Sequence, residues 1–155
     1  MVLWGVNKTI AMTKKQVTQL SYEITGCAIT VHKALGPGLL ESVYQKCLTH
    51  ELTKRGYAVA QQLAVPVNYD GLIIDTELRL DMLVNDTIVV ELKAIEKLEP
   101  VHKAQAINYC EAYNIADGLL INFGGMSLEF NRVFNKKLVT PKNPVYPNPV
   151  YPKIL

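Results

Sequence analysis

The chain has 155 residues, 49% apolar and 19% charged, with 16 basic and 14 acidic side chains for a net charge of +2. That balance excludes a disordered chain, and the length suits one domain with a sizeable core. A near-neutral total neither demands nor excludes a nucleic-acid partner, and no apolar run approaches a membrane span, so no membrane partner is expected.

Residues 1–12 show no helical or strand period and read as an N-terminal extension; with one lysine and no sustained apolar stretch they do not resemble a signal peptide. From Thr13, apolar residues at Val17, Leu20, Ile24, Cys27, Ala28, Val31 and Leu35 predict an amphipathic helix, broken by Gly36-Pro37-Gly38. A second helix is predicted from Leu39 to Arg55, with Leu40, Val43, Tyr44, Cys47, Leu48 and Leu52 on its apolar face and Gly56 as its stop. Strands are predicted over Ala58–Tyr69, Leu72–Val84 and Thr87–Ala94, with Asp70-Gly71 and Asn85-Asp86 as turns and Pro66 marking an edge or irregularity. Pro100 opens a third helix that reaches Tyr113. Short strands over Asp117–Phe123 and Leu128–Phe134 flank a Gly124-Gly125 turn. These elements fill a domain spanning 13–138. Residues 139–155 form a Pro/Tyr-rich tail in which Asn-Pro-Val-Tyr-Pro occurs twice, at 143–147 and 148–152. Such a segment cannot pair within a sheet and tends to be extended; it is either unstructured or a docking peptide for an aromatic-lined groove.

The chemistry concentrates between Asp81 and Lys93. Side chains alternate along a strand, so Val89, Glu91 and Lys93 share one face and Ile88, Val90 and Leu92 the other. A reversal at Asn85-Asp86 brings Asp81 beside Glu91. Two like charges about 4 Å apart repel by roughly 4 kcal/mol at an effective dielectric near 20, and a divalent cation reverses that sign. Asp81, Glu91 and the Leu92 backbone carbonyl offer hard oxygen ligands, suited to Mg²⁺ or Mn²⁺. Lys93 then stands where it can hold a water in line and offset charge building on a phosphate. The plain alternative is a solvated strand pair with a Glu–Lys contact worth less than about 1 kcal/mol.

Two features favour the chemical reading. Glu41, in the first turn of the second helix, either offsets the helix dipole or adds a carboxylate to the metal. Gln105 and Tyr109, at i and i+4, share a helix face from which they can reach the lysine or a substrate strand. The remaining candidates read as structure. His32, His50 and His102 lack metal-ligand spacing. Cys27, Cys47 and Cys110 are far apart and odd in number, so they are expected as reduced thiols, which fits a cytoplasmic setting. Lys14-Lys15, Lys97, Lys103 and Lys136-Lys137 either line a path for a phosphate backbone or are solvated.

Gly38-x-x-Glu41-x-x-Tyr44, followed by Asp81, Glu91-Leu-Lys93 and Gln105-x-x-x-Tyr109, resembles the GxxExxY family within the PD-(D/E)XK nuclease-like superfamily. Leu80 stands where the superfamily's name places a proline. The resemblance implies an α/β, restriction-endonuclease-like core: helix, three-stranded sheet, helix and strand, here with an extra N-terminal helix. It implies Asp81 and Glu91 as the metal acids, Lys93 as the catalytic lysine, Glu41 as the helical glutamate, and Gln105 with Tyr109 as the QxxxY pair of a RecB-like exonuclease branch. It further implies metal-dependent phosphodiester hydrolysis of nucleic acid, most simply DNA, and allows a homodimer. The alternatives are a catalytically silent nucleic-acid-binding or regulatory module, an enzyme acting on a small phosphorylated molecule, and a protein-interaction role for the tail.

Overall fold

The computed structural model describes residues 12–138; most of the expected N-terminal extension and all of the tail lie outside them. Helix α1 (Lys14–Leu35) opens with a capping box, in which Thr13 Oγ1 accepts from Gln16 N–H at 3.1 Å and Gln16 Oε1 accepts from Thr13 N–H at 2.8 Å. Its predicted stripe is the buried face from Val17 to Val31, whereas Leu35, also expected on it, is exposed at the helix end. Gly36, in the left-handed region, ends it.

Helix α2 (Glu41–Lys54) differs from expectation on its packed face. Tyr44, Gln45, Leu48 and Leu52 are buried, whereas Leu40 and Val43 are exposed. The helix is rotated so that a glutamine, not Val43, faces the sheet. Gly56, with φ +86°, sits just past its end as anticipated.

The predicted first strand divides at Val65-Pro66 into β1 (Val59–Ala64) and β2 (Val67–Tyr69). The predicted second strand divides at Asp75-Thr76-Glu77 into β3 (Leu72–Ile74) and β4 (Arg79–Val84). Proline cannot donate to a ladder, and on the opposite chain Thr76 Oγ1 turns in to Val65 C=O at 2.6 Å. The interruption frees β2 and β3 to pair only with each other, around Asp70-Gly71, as a two-stranded arm.

The main sheet has the order β1-β4-β5-β6-β7, with β5 (Ile88–Lys93), β6 (Asp117–Asn122) and β7 (Glu129–Phe134). Asn85 and Asp86, both left-handed, reverse the chain between β4 and β5. Helix α3 (Pro100–Ala112) crosses from β5 to β6, which are parallel; the other neighbouring strands are antiparallel.

Two cores cover the two faces. Ile88, Val90 and Leu92 pack under α1 and α2 with Leu119 and Ile121. Val89 packs on the other face with Leu80, Leu83 and the α3 residues Ala106, Tyr109 and Cys110. The strand alternation read from sequence therefore holds through β5. Cys27 and Cys110 are buried, Cys47 is half-buried, and all three are free thiols. No described helix is long and apolar enough to cross a membrane.

Candidate active site between β4, β5 and α3

The β4–β5 ladder runs from Val84–Ile88 to Met82–Val90 and stops there. One step further, where Asp81 would face Glu91, side chains replace backbone pairing. Asp81 N–H donates to Glu91 Oε1 at 2.8 Å, and Leu92 N–H donates to Asp81 Oδ2 at 2.8 Å. Each carboxylate thus satisfies the backbone of the opposite strand. Both residues are buried. Lys93 C=O accepts from Phe123 N–H on the β6 side at 2.8 Å. Backbone direction alternates along a strand, so Leu92 turns its carbonyl toward β4, beside Asp81.

Burial dominates the electrostatics. It pushes the Glu91 carboxyl up to about 9, with the charges of Asp81 and then Glu41 adding to the rise and Lys93 opposing it. Asp81 is also raised by burial, but the Leu92 N–H, Gln62, Lys93 and a hydrogen bond from Glu91 pull it back. Glu41, the first residue of α2, is raised by burial and then by the Asp81 charge, against the pull of Lys93. Asp81, Glu91, Glu41 and Lys93 therefore feel one another's charge, and three acids face one lysine.

Lys93 is held by α3. Its Nζ donates to Gln105 Oε1 at 2.8 Å, and Gln105 Nε2 donates to Tyr109 Oη at 2.9 Å. The i, i+4 pair thus forms a chain that ends on the lysine, and the Glu91 charge reaches Tyr109. Tyr44 has a supporting position. It stacks on Phe123, with centroids 4.5 Å apart and planes 11° apart. Its hydroxyl donates to Gly36 C=O at 2.5 Å and accepts from Leu39 N–H at 3.2 Å. This pins the loop from which Glu41 enters the helix.

Sequence reasoning missed an amide cluster around Asp81. Gln62 lies opposite it on β1 with φ +51°. Gln62 Nε2 donates to Asp81 Oδ1 at 3.2 Å and to Gln45 Oε1 at 2.7 Å, and Gln45 Nε2 donates to Gln61 Oε1 at 3.1 Å. Gln45 carried a signal, since it stands four residues after Glu41 on the same helix face. Gln62 carried none beyond two polar residues breaking a strand's alternation. Asn122, paired with Lys93 across β5 and β6, was also missed. It accepts from Ile95 N–H and Gly124 N–H, both at 3.0 Å, and donates to Ile95 C=O at 2.9 Å, fixing the loop that leaves the site. Gly124 is where that loop touches the β6 turn, since a Cβ there would collide with the Ile95 backbone.

The other expectations sort plainly. His32 Nε2 bonds Gly125 C=O at 2.9 Å, and His102 Nδ1 accepts from Glu99 N–H at 2.8 Å. Lys137 pairs with Glu111 at 3.3 Å, which removes it from a run of free cations; Lys97 and Lys103 are exposed.

Among the described residues, no three His, Cys, Asp or Glu side chains stand close enough to hold a metal alone. The donor set nevertheless fits a hard divalent ion. Mg²⁺ commonly takes one or two carboxylates and keeps several waters, and here the two buried carboxylates of Asp81 and Glu91 stand together, whereas Glu41 is not drawn into one cluster with them and acts on them through its charge. Soft ligands are absent from this cluster.

A family model for the PD-(D/E)XK nuclease superfamily matches residues 18–133. The chain belongs to that superfamily, and its mixed sheet flanked by helices is the restriction-endonuclease-like fold. The superfamily is one of nucleases, which generally depend on a divalent metal. No curated protein matches. The crystal structure of SSO0001 is similar at 15% identity with a TM-score of 0.41, over 76% of this chain and 61% of that one. A likeness at that level carries no argument.

Proposed function

We propose that this protein is a Mg²⁺- or Mn²⁺-dependent nuclease that hydrolyses phosphodiester bonds in DNA. Asp81, Glu91 and the Leu92 carbonyl would hold the ion, with Glu41 acting directly or through water. The bound ion would supply Lewis-acid stabilisation of the phosphate. The reading rests above all on the buried Asp81–Glu91 pair, which caps strand ends and carries a carboxyl lifted to about 9. A purely structural cap does not need two acids and a nearby third. Their mutual repulsion is relieved by a cation, and the lysine present is engaged with Gln105.

Lys93 would place the attacking water and offset charge on the phosphate oxygens. Gln105 fixes the Lys93 ammonium, and Tyr109 fixes Gln105. Gln62 and Gln45 orient the Asp81 carboxylate. The Gly38-x-x-Glu41-x-x-Tyr44 motif supports placing the chain in the GxxExxY branch. In it, left-handed Gly38 and the Tyr44 hydroxyl shape the loop that delivers Glu41.

The test pairs binding with turnover. Calorimetry with Mn²⁺ should show binding to wild type and none to Asp81→Ala. Lys93→Ala should keep Mn²⁺ affinity while cleavage of duplex and single-stranded DNA falls by about 10²–10³-fold, the usual loss when a charge-stabilising group is removed. Wild-type protein that binds no divalent ion would overturn the enzyme reading and leave a nucleic-acid-binding module. Activity confined to mononucleotides would point to a small phosphorylated substrate.

A further inference from the structure

A groove of about 1070 Å³ runs between the β2–β3 arm and α3. Its walls are mainly aliphatic, with Val67, Ile73 and Leu78 on one side and Val101 and Ala104 on the other. Val101 is 66% exposed although it lies on a helix face beside apolar neighbours. The arm is exposed in the same way, with Tyr69 at 71% and Leu72 at 61%. A contiguous apolar trough of this kind on a small domain marks a surface that something covers.

Charge at the groove is balanced. Glu111 stands at its wall, whereas the exposed Asp70, Asp75 and Glu77 of the arm and the loop after it, with Arg79 beside them, lie outside the lining. Lys137 is the one cation among the described lining residues, and it already pairs with Glu111. With its one acid and one cation paired, the trough's largely aliphatic wall suits an apolar, uncharged stretch of peptide. The chain itself supplies one. The described residues stop at Leu138, one residue past Lys137 on the groove wall. Residues 139–155 contain Lys142 and Lys153, no Asp or Glu, and the twice-repeated Asn-Pro-Val-Tyr-Pro.

We propose that the Asn-Pro-Val-Tyr-Pro repeats of this same chain seat in the groove between the arm and α3. Reach is ample. At about 3.1 Å per residue for an extended Pro-rich segment, the first repeat begins roughly 15 Å beyond Leu138 and the whole segment spans on the order of 50 Å. Proline fixes much of the backbone in advance, so little entropy is lost on docking. Val145, Tyr146, Val150 and Tyr151 would lie on the aliphatic walls. The amides of Asn68 and Asn108, which line the groove, would donate to carbonyls of a segment whose prolines leave them without sheet partners. Gln105 and Tyr109 line both this groove and the candidate site, so the seated segment would border the lysine's support.

Photocrosslinking of the full chain tests this without any assay of activity. With p-benzoylphenylalanine at position 146 or 151, irradiation and mass spectrometry should locate adducts on residues 67–74 or 100–112 of the same chain. Val101→Asp, at an exposed position, should cut their yield by about tenfold. Adducts elsewhere, adducts only between two copies, or none would overturn the proposal. Hydrogen exchange gives an independent reading: amides of the arm should exchange about tenfold faster in Tyr146→Ser/Tyr151→Ser than in wild type. Unchanged exchange would count against it.

Discussion

The two ends of the β4–β5 hairpin solve the same problem in opposite ways. At the turn end, Met82–Val84 and Ile88–Val90 pair backbone to backbone, and their side chains fill both cores. At the other end the ladder is given up, and the Asp81 and Glu91 carboxylates take the orphaned N–H groups. The first arrangement maximises stability. The second holds two ionisable groups in fixed positions by tying them to the backbone, where rotamer freedom cannot separate them. Preorganisation of this sort is what a charge-binding site needs. It also means that the acids have a structural role of their own, so removing one affects the fold as well as any charge the pair holds.

The largest stability loss is expected at the dry end. Met82→Ala should cost about 2–5 kcal/mol by denaturant titration, because it opens a cavity under α1 and α2. If the loss there were no larger than at the open end, the contrast between the two halves would be wrong. At the open end, Glu91→Ala should cost about 1–3 kcal/mol by leaving the Asp81 N–H unsatisfied. Glu91→Gln keeps an acceptor and should recover most of that stability while still failing to bind Mn²⁺.

Proton linkage sharpens the comparison further. The Glu91 carboxyl titrates near 4.5 when exposed and near 9 when folded. Between those values the folded chain keeps a proton that the unfolded chain releases, so this group's contribution falls as pH rises through the window. The slope is at most about 1.4 kcal/mol per pH unit. Denaturation from pH 5 to 9 should therefore show a decline in wild type that Glu91→Gln lacks, and millimolar Mn²⁺ at pH 8 should reduce it. A pH-independent wild type would show that burial does not hold the Glu91 carboxyl protonated. The smallest effect belongs to Gln62→Ala. It removes the hydrogen bonds to Asp81 Oδ1 and Gln45 Oε1 from an exposed side chain, each at the low end of about 0.5–1.5 kcal/mol, and should weaken Mn²⁺ binding more than the fold.

Much of this was legible in the chain. Helix α1 follows from a regular three-and-four spacing that one face can bury, and its end from Gly36. Asp70-Gly71 and Asn85-Asp86 mark reversals because few other residues adopt their left-handed backbone at little cost. Period-two alternation assigned Ile88, Val90 and Leu92 to one face and Val89, Glu91 and Lys93 to the other. The face of α2 was less legible. Its apolar residues spread too broadly around the helix to say that Gln45, rather than Val43, meets the sheet.

Local patterns sufficed wherever one short stretch determined its own geometry, and this included the spacing that puts an acid and a lysine on one side of β5. Packing alone decided which strands become neighbours, where the β4–β5 ladder opens, and that Gln62 reaches Asp81 from a strand nineteen positions away in the chain. Those outcomes depend on contacts between segments distant in sequence. The free energy of such contacts is shared among all partners at once, so no window along the chain contains it.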